Sequence, residues 1–442
     1  MANGERTVFI GLDGVPYGLI ERLSDDGTMP NFRRLREDGV FRKMESSIPE
    51  ISSVSWSSII TGKNPGEHGI FGFTDMIPGS YTLSFPNFNN LRAKPFWHEN
   101  QGRHVIVNVP STYPAKELNG FLVSGFVSLD LEKAVYPESY VPKLKEMDYR
   151  IDVDAAKGHK SKQLLLDELS KVHGIRMRAV RHLWKEVEWD TFMVVFTGTD
   201  RIGHFLWDAW EDPGHELHGG FRNYFKEIDD AIGEITGWMR PEDNLVMCSD
   251  HGMELAEVNV NVNRVLRDSG FLKLDDQPKG GTHPNQSMQV KKPLSYSNML
   301  EGTKAFALDP GRIYINMEGK YPRGAVRPEE RERVLSGLES LFSNLKVNGK
   351  KVIRRTFRRE DIYNGPHTGR APDLILLADK GFNLKASLMD IEKEPGMHPV
   401  LTGKHSQDDA FLFVKGSHNR NIINDKPKVV DIRDILDRLQ GA

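Results

Sequence analysis

The chain has 442 residues, of which 59 are Lys or Arg and 62 are Asp or Glu, so that its formal net charge is −3. This near balance provides no sequence-wide field that would attract nucleic acid or anionic lipid, and it favours a small-molecule substrate over a nucleic-acid polymer as partner. No apolar stretch approaches the length of a membrane span, and the single cysteine, Cys248, has no intrachain partner for a disulfide. We expect a cytoplasmic protein without a membrane segment.

Short apolar runs alternate with helical patterns along most of the chain. The runs are 7–12, 104–109, 191–196, 244–248 and 372–377, and each ends in polar or Gly-rich residues. This alternation predicts an α/β fold with a mostly parallel sheet flanked by helices. In such a sheet the binding groups collect beyond the carboxyl ends of the strands.

Residues 301–362 differ from the rest, because two short strands, a charged helix and a basic strand follow one another there. We interpret this stretch as a smaller, cap-like insertion. Residues 1–300 would then form the first part of the core and 363–442 its remainder. The segment 275–297, which is rich in Gly, Pro, Lys and Gln, predicts a loop.

Six side chains of metal-binding type follow strand-like runs or lie in loops beside them: Asp13, Asp200, His204, Asp250, His251 and His405. Each alone also fits an ordinary structural role, such as a turn aspartate, a local hydrogen bond or a surface histidine. Together, three Asp and three His on the loops of one sheet offer the mixed oxygen and nitrogen ligands that Zn²⁺ or Mn²⁺ prefers. Two such ions can hold the attacking and leaving oxygens of a displacement at phosphorus.

The candidate nucleophile lies in a segment dense in hydroxyl groups, residues 46–61, so that hydroxyl content alone selects no single residue. Ser52 precedes a run that predicts a helix ended by Gly62, which would place Ser52 at the amino end of that helix. The free N–H groups and the dipole there favour a phosphoryl oxygen. An ordinary helix-capping serine is the alternative interpretation of the same pattern.

Seven motifs follow one another over nearly the whole chain: GLDG at 11–14, TGKNPGEHGI at 61–70, VNVPSTYP at 107–114, GTDRIGH at 198–204, SDHG at 249–252, APDLILL at 371–377 and TGKH at 402–405. In this order they resemble the alkaline phosphatase superfamily, specifically its type I phosphodiesterase/nucleotide pyrophosphatase branch. The prokaryotic members known only as predicted phosphohydrolases or phosphomutases are the most similar.

The resemblance implies two divalent metal ions, most naturally Zn²⁺, with Mn²⁺ as the alternative. It divides the ligands into one set of Asp13, Asp250, His251 and the nucleophile, and a second set of Asp200, His204 and His405. The last ligand would thus come from the final part of the core.

The same resemblance selects the nucleophile, because the family's nucleophilic position, counted back from TGKNPGEHGI, falls on Ser52. In this count Ser55 occupies the place of an Asn that contacts a phosphoryl oxygen in nucleotide pyrophosphatases. We therefore predict that Ser55 contacts the substrate, and that Trp56 contacts it by covering the organic arm of a diester.

The leading hypothesis is a two-metal hydrolase of phosphate esters that works through a phosphoseryl intermediate on Ser52. A phosphomonoesterase, a phosphomutase and a phosphonate hydrolase are alternatives on the same fold. A metal-binding scaffold without turnover is the alternative from another class of protein. An ATP-binding loop is excluded, since the chain has no G-x-x-x-x-G-K-[ST] segment.

Phosphodiesters and nucleotide-type anhydrides are the predicted substrates, because a monoester dianion needs an added cation such as a bidentate Arg. Beside Ser52 the sequence has Ser, Trp and Ile, and the closest cation of the motif is Lys63, at the far end of the predicted helix. An arginine of the insertion, Arg354 or Arg358, is the alternative source of such a cation.

Overall fold

The structure is a computed structural model, which describes residues 6–275, 295–388, 401–416 and 423–441. Its strands, in chain order, are β1 (Thr7–Leu12), β2 (Val40–Met44), β3 (Asp75–Met76), β4 (Leu83–Ser84), β5 (His104–Val109), β6 (Gly120–Ser124), β7 (Val135–Tyr136), β8 (Thr191–Phe196), β9 (Asn244–Cys248), β10 (Gly252–Asn261), β11 (Ala305–Leu308), β12 (Arg312–Ile315), β13 (Lys346–Val347), β14 (Lys350–Lys351), β15 (Ile353–Arg358), β16 (Leu374–Ala378), β17 (Gly381–Lys385), β18 (Gly403–Ser406) and β19 (Ala410–Lys415). Its helices are α1 (Tyr17–Asp25), α2 (Pro30–Asp38), α3 (Ser52–Thr61), α4 (Pro65–His68), α5 (Val141–Glu146), α6 (Ala156–Lys160), α7 (Lys162–Glu186), α8 (Gly198–Glu211), α9 (His218–Gly237), α10 (Val262–Asp268), α11 (Arg331–Ser343), α12 (Arg359–Ile362) and α13 (Ile432–Leu439).

The central sheet of the described chain has the strand order β2-β19-β9-β1-β8-β5-β6-β7. The strands from β9 to β6 are parallel, and β2, β19 and β7 run antiparallel to their neighbours. The predicted α/β fold with a mostly parallel sheet is therefore confirmed. None of the helices in the described ranges is long and apolar enough to cross a membrane.

Both faces of the central sheet are buried. In β1, Val8 and Ile10 belong to the apolar cluster formed with α7, α8 and α9, whereas Phe9 points to the opposite face and packs in the cluster of Trp56 on α3. A strand that is buried on both faces has a nearly continuous apolar sequence. This is why β1, β5, β8 and β9 were recognisable in the sequence.

A second, antiparallel sheet has the order β11-β12-β16-β15 and packs with α10 and α11 in a separate apolar cluster. The fifth apolar run of the sequence lies here, as β16 (Leu374–Ala378), and not in the central sheet where we expected it. An apolar run indicates that a strand is buried but does not indicate which sheet it joins. The second sheet consequently extends past residue 362, the end expected for the insertion.

A third, small sheet connects these two bodies. Its middle strand, β10, begins directly after His251 and pairs with β18 on one side and β17 on the other. Met253 of β10 lies opposite His405 of β18. The pairing therefore brings His405 next to the end of β9, although the two segments are far apart in the sequence.

Candidate metal centre and nucleophile

Three neighbouring parallel strands of the central sheet end at the same edge. Thr7 of β1 is in register with Asn244 of β9 and with Thr191 of β8. The residues that follow these strands include Asp13, Asp250 and, in the first turn of α8, Asp200. Strand register thus brings three carboxylates together from three distant parts of the chain.

Two glycines permit the close approach of the elements at this edge. A Cβ atom on Gly11 would lie 2.4 Å from the Trp56 ring, so that a larger residue would displace the indole. Gly14 has φ +68° and donates its N–H to Oδ1 of Asp250 at 3.0 Å, and a Cβ atom there would meet Asp200 at 3.0 Å. Glycine tolerates both this left-handed conformation and the narrow space between two carboxylates.

Each of the three histidines is oriented by a backbone carbonyl. The Nδ1–H groups donate to these oxygens: His204 to Gly403 (2.9 Å), His251 to Gly252 (2.9 Å) and His405 to Glu50 (2.7 Å). A carbonyl oxygen only accepts hydrogen bonds, so the proton of each neutral ring lies on Nδ1. The Nε2 atoms therefore present their lone pairs to the site, as a metal-binding histidine does.

The Nε2 atoms of His204 and His405 lie 2.9 Å apart, and each lies 3.3 Å from Oδ1 of Asp200. Burial lowers the pKa of His405 to about 3 and also lowers the pKa of His204, so that both rings are neutral. Two lone pairs and a carboxylate oxygen at these distances repel one another unless a cation binds them. This half of the site has the arrangement of a cation-binding cluster.

The other half consists of Asp13, Asp250 and His251. Nε2 of His251 lies 3.3 Å from Oδ2 of Asp250 and 3.8 Å from Oδ1 of Asp13. Burial, reinforced by the neighbouring carboxylates, raises the pKa of Asp13 well above its usual range and that of Asp250 to about 8. Buried carboxyl groups crowded in this way show raised pKa values in the absence of a neutralising cation.

The donor atoms fit a divalent metal. Oδ1 of Asp200 and Oδ2 of Asp250 are buried and accept no hydrogen bond from the described residues. Candidate ligand atoms within 4.8 Å of one another form two groups: Asp13, Asp250 and His251, and Asp200, His251 and His405. Such an oxygen and nitrogen set suits Zn²⁺ or Mn²⁺. The assignment of individual ligands, and their division between two ions, stays a prediction.

Ser52, the first residue of α3, lies beside this cluster. Its Oγ is 3.3 Å from Oδ1 of Asp13 and 3.1 Å from Nε2 of His251. In the first turn of α3 the Val54 N–H donates to the Ile51 carbonyl oxygen at 2.8 Å, which leaves the N–H groups of Ser52 and Ser53, without an intrahelical partner, available to an anion next to the hydroxyl. The structure thus brings together all seven side chains that the sequence predicted for the centre.

Two cavities meet at the centre. A small one, of about 50 Å³, is bordered by Ser52, Asp13 and Asp200. A larger one, of about 210 Å³, lies between the central sheet and the second sheet. Both are bordered by Phe73, His204 and His405: these three side chains mark where the two cavities adjoin.

A family model described as Type I phosphodiesterase / nucleotide pyrophosphatase matches residues 7–401. The chain belongs to this family. Membership indicates a hydrolase of phosphate esters, in a family that is metal-dependent, and confirms the resemblance seen in the motifs. By sequence, none of the curated proteins matches the chain.

Solved structures of similar fold include the phosphonoacetate hydrolase of Sinorhizobium meliloti 1021 in complex with phosphonoacetate, with a TM-score of 0.63 and 16% identity over 98% of this chain and 95% of that one. Murine ectonucleotide pyrophosphatase / phosphodiesterase 5 has a TM-score of 0.56 and 12% identity, covering 99% of this chain and 95% of its own. At these identities the likeness shows the shared alkaline-phosphatase-like fold.

Within this type I phosphodiesterase fold, the two predicted substrate contacts make other interactions. The Ser55 hydroxyl is fully buried and lies 3.0 Å from Oγ of Ser46 and 2.7 Å from Oγ of Ser47. The Trp56 indole N–H donates to Oδ2 of Asp13 at 3.0 Å, and so positions a candidate ligand. In the described part of the chain, neither side chain borders the small cavity.

The cations that the sequence suggested for this family member also lie elsewhere. Lys63 is 3.7 Å from Glu67, Arg354 pairs with Asp408, and the Arg358 guanidinium pairs with two glutamates of α11. The structure instead places Arg201 on the border of the small cavity that Ser52 also borders. Sequence reasoning missed Arg201, although it lies inside the GTDRIGH motif between two of the predicted ligands.

Proposed function

We propose that this protein hydrolyses phosphate esters through a phosphoseryl intermediate on Ser52, with two divalent metal ions held by three Asp and three His side chains. Family membership supports phosphate-ester hydrolysis and metal dependence. The finer statement rests on the geometry at the edge of the central sheet.

The observation that carries the proposal is the position of the Ser52 hydroxyl among candidate metal-ligand atoms. Its Oγ lies within 3.3 Å of both Asp13 and His251, and Nε2 of His251 presents a lone pair because its Nδ1–H is held by a carbonyl. Zn²⁺ or Mn²⁺ bound there would favour the alkoxide of Ser52 and neutralise charge on the phosphoryl oxygens. A serine that only caps a helix would not need buried carboxylates and histidines around its hydroxyl.

The reaction then divides into two displacements at phosphorus. Ser52 Oγ forms the bond to phosphorus as the bond from phosphorus to the ester oxygen breaks, and the alcohol leaves. Water next cleaves the bond between Ser52 and phosphorus, which releases the phosphoryl product and restores the hydroxyl. The N–H groups of Ser52 and Ser53, at the start of α3, orient a phosphoryl oxygen during both steps.

The larger cavity is suited to the organic arm of the ester. Its walls are mostly apolar, with Ile51 and Leu401 from one side and Leu376 and Phe382 from the other. The alcohol would therefore lie between the two bodies while its phosphoryl group lies at Ser52. Burial of an apolar arm provides binding energy that positions the reacting group.

Trapping of the intermediate tests the proposal. Acid quenching during turnover of an aryl phosphate ester, followed by proteolysis and mass spectrometry, should yield a peptide phosphorylated at Ser52. Ser53→Ala is the matched control, since the Ser53 hydroxyl has no hydrogen-bond partner among the described residues, and this variant should give the same labelled peptide. Phosphate on another residue, or steady turnover without any phosphorylated serine, would contradict the proposal.

A further inference from the structure

Arg201 occupies a position in α8 between two candidate metal ligands, Asp200 and His204. Its side chain is 17% exposed and borders the small cavity together with Ser52 and Asp13. Among the described residues that border this cavity, it is the one side chain with a permanent positive charge.

The guanidinium is held in a fixed orientation. Its Nε–H and one Nη2–H donate to Oδ2 of Asp152 at 3.1 and 2.7 Å, and an Nη1–H donates to Oδ2 of Asp200 at 3.1 Å. Its carbon also lies 4.3 Å from the centroid of the Phe126 ring, within the range of a cation–π contact. An arginine has five N–H donors, so these three bonds leave two N–H groups for a further acceptor.

The charge of the substrate decides what such a donor can do. A phosphomonoester is largely a dianion above neutral pH, whereas a diester carries a single negative charge. The third charged oxygen of a monoester therefore needs one more cationic partner than a diester does. Arg201 offers this partner in a cavity where the other charged side chains of the described chain, Asp13 and Asp200, are acidic.

We propose that Arg201 binds a nonbridging phosphoryl oxygen and that the preferred substrate is a phosphomonoester with an apolar alcohol arm. This inference rests on the proposed function and replaces the diester preference expected from the sequence. That expectation assumed that no cation lies near Ser52, and the fold places one there from α8. Asp152 is the positioning residue, because it accepts two hydrogen bonds from the guanidinium and does not itself border the small cavity.

A purely structural role for Arg201 has a different signature. If it only neutralises Asp152 and Asp200, its loss should weaken turnover of monoesters and diesters equally, through the stability of the loop or the metal site. If it binds the third oxygen, its loss should weaken the turnover of monoesters and leave the turnover of diesters nearly unchanged. The comparison of two substrates that differ only in this oxygen separates the two roles.

The substrates are p-nitrophenyl phosphate and methyl p-nitrophenyl phosphate, which share a leaving group. Wild type should show the higher kcat/KM on the monoester. Arg201→Gln should lower the monoester kcat/KM by about 10- to 100-fold, the loss expected for a charge-assisted hydrogen bond, and change the diester value by less than about threefold. Arg201→Lys, which keeps the positive charge but lacks the planar guanidinium that binds bidentately, should restore part of the lost kcat/KM. Arg354→Gln, an exposed arginine paired outside the site, is the matched control and should leave both values unchanged.

Calorimetric titration with inorganic phosphate measures binding without turnover. Arg201→Gln should weaken phosphate binding about tenfold or more. Its metal content should stay at the wild-type level. A diester preference in wild type, or equal losses on both substrates, would overturn the assignment while leaving Ser52 chemistry intact. Turnover that survives in Ser52→Ala would instead overturn the proposed function. Unchanged phosphate affinity in both Arg201 variants would also overturn the assignment.

Discussion

The central sheet and the second sheet make different contributions to the site. Every candidate ligand and the candidate nucleophile lie on the central-sheet side: after β1 and β9, on helices α3 and α8, and on the adjoining strand β18. The region of the second sheet and β17 supplies walls, such as Pro310, Leu376 and Phe382, to the larger cavity. Under the proposed function, the chemistry and the recognition of the phosphoryl group belong to the central-sheet side, the second sheet shapes the cavity for the alcohol arm, and the two bodies adjoin at His204 and His405. Substitutions in the two bodies should therefore have separable effects.

The largest effect is expected on the central-sheet side, for Ser52→Ala. Turnover should fall by at least about a thousandfold, because the hydroxyl forms the covalent bond to phosphorus. Metal content measured by elemental analysis should stay close to that of wild type, since the three Asp and three His remain. If Ser53→Ala were the inactive variant instead, the assignment of the nucleophile would be wrong.

A smaller loss is expected for His405→Ala, which removes a ligand supplied by β18. Activity should fall by about 100-fold together with a loss of about one metal ion per chain, because the remaining Asp200 and His204 form an incomplete site. Elemental analysis and kcat on the same preparation check both values. His98→Ala, at a half-exposed histidine that donates to a backbone carbonyl away from the centre, should match wild type. Full occupancy in His405→Ala would remove this residue from the centre.

A wall substitution should change selectivity and leave the metals in place. Phe382→Leu keeps an apolar side chain but alters the shape of the larger cavity, so kcat/KM for aryl esters should change by about tenfold relative to small alkyl esters. Metal content should be unaffected. Phe85→Leu is the matched control, because Phe85 is 73% exposed and does not border the cavity. A loss of bound metal in Phe382→Leu would contradict the separation between the two bodies.

Substitutions at the amino ends of the central strands, away from the site, should affect stability and not activity. Asp243, which precedes β9, is buried and lies 2.7 Å from guanidinium nitrogens of both Arg6 and Arg240. Burial by itself would raise the pKa of this carboxyl, but the hydrogen bonds from the two arginines outweigh it and lower the pKa. Asp243→Asn should decrease the free energy of unfolding by about 2 kcal/mol at neutral pH without changing kcat.

The pH dependence of this difference follows from the direction of the pKa shift. The folded-state pKa lies below the unfolded value of about 3.9, so the stabilisation is complete above that pH and is lost as pH falls through the folded-state pKa. Denaturant unfolding of wild type and Asp243→Asn should therefore show a constant difference near neutral pH that narrows below about pH 4. A difference that grows on acidification would refute the ion-pair explanation.

The grouping of the candidate metal ligands could be predicted from the sequence for a physical reason. Strands such as β1 and β9 are buried on both faces, so their apolar runs stand out, and the polar residue after each run lies at the shared edge of the sheet. Asp13 and Asp250 could therefore be named from the sequence. His405 lies far from them in the chain, and only the ordered set of motifs linked it to the same centre.

The parts that sequence reasoning did not predict depend on pairing and on side-chain direction. The apolar run of β16 gave no indication that it joins the second sheet. Ser55 lies one helical turn from Ser52, yet its hydroxyl faces Ser46 and Ser47 because the whole of α3 is buried. Arg201 is far from Ser52 in the sequence, and it is the fold that brings both side chains to the small cavity. A search for cations close to Ser52 in the chain therefore could not find it.

Anomalous diffraction from crystals of the metal-loaded protein, collected at the absorption edge of the bound metal, would locate the metal ions directly. We expect two anomalous peaks, one next to Asp13, Asp250 and His251 and one next to Asp200, His204 and His405, with Ser52 Oγ beside the first. A single peak away from these side chains, or none in a preparation that hydrolyses phosphate esters at full rate, would contradict this expectation.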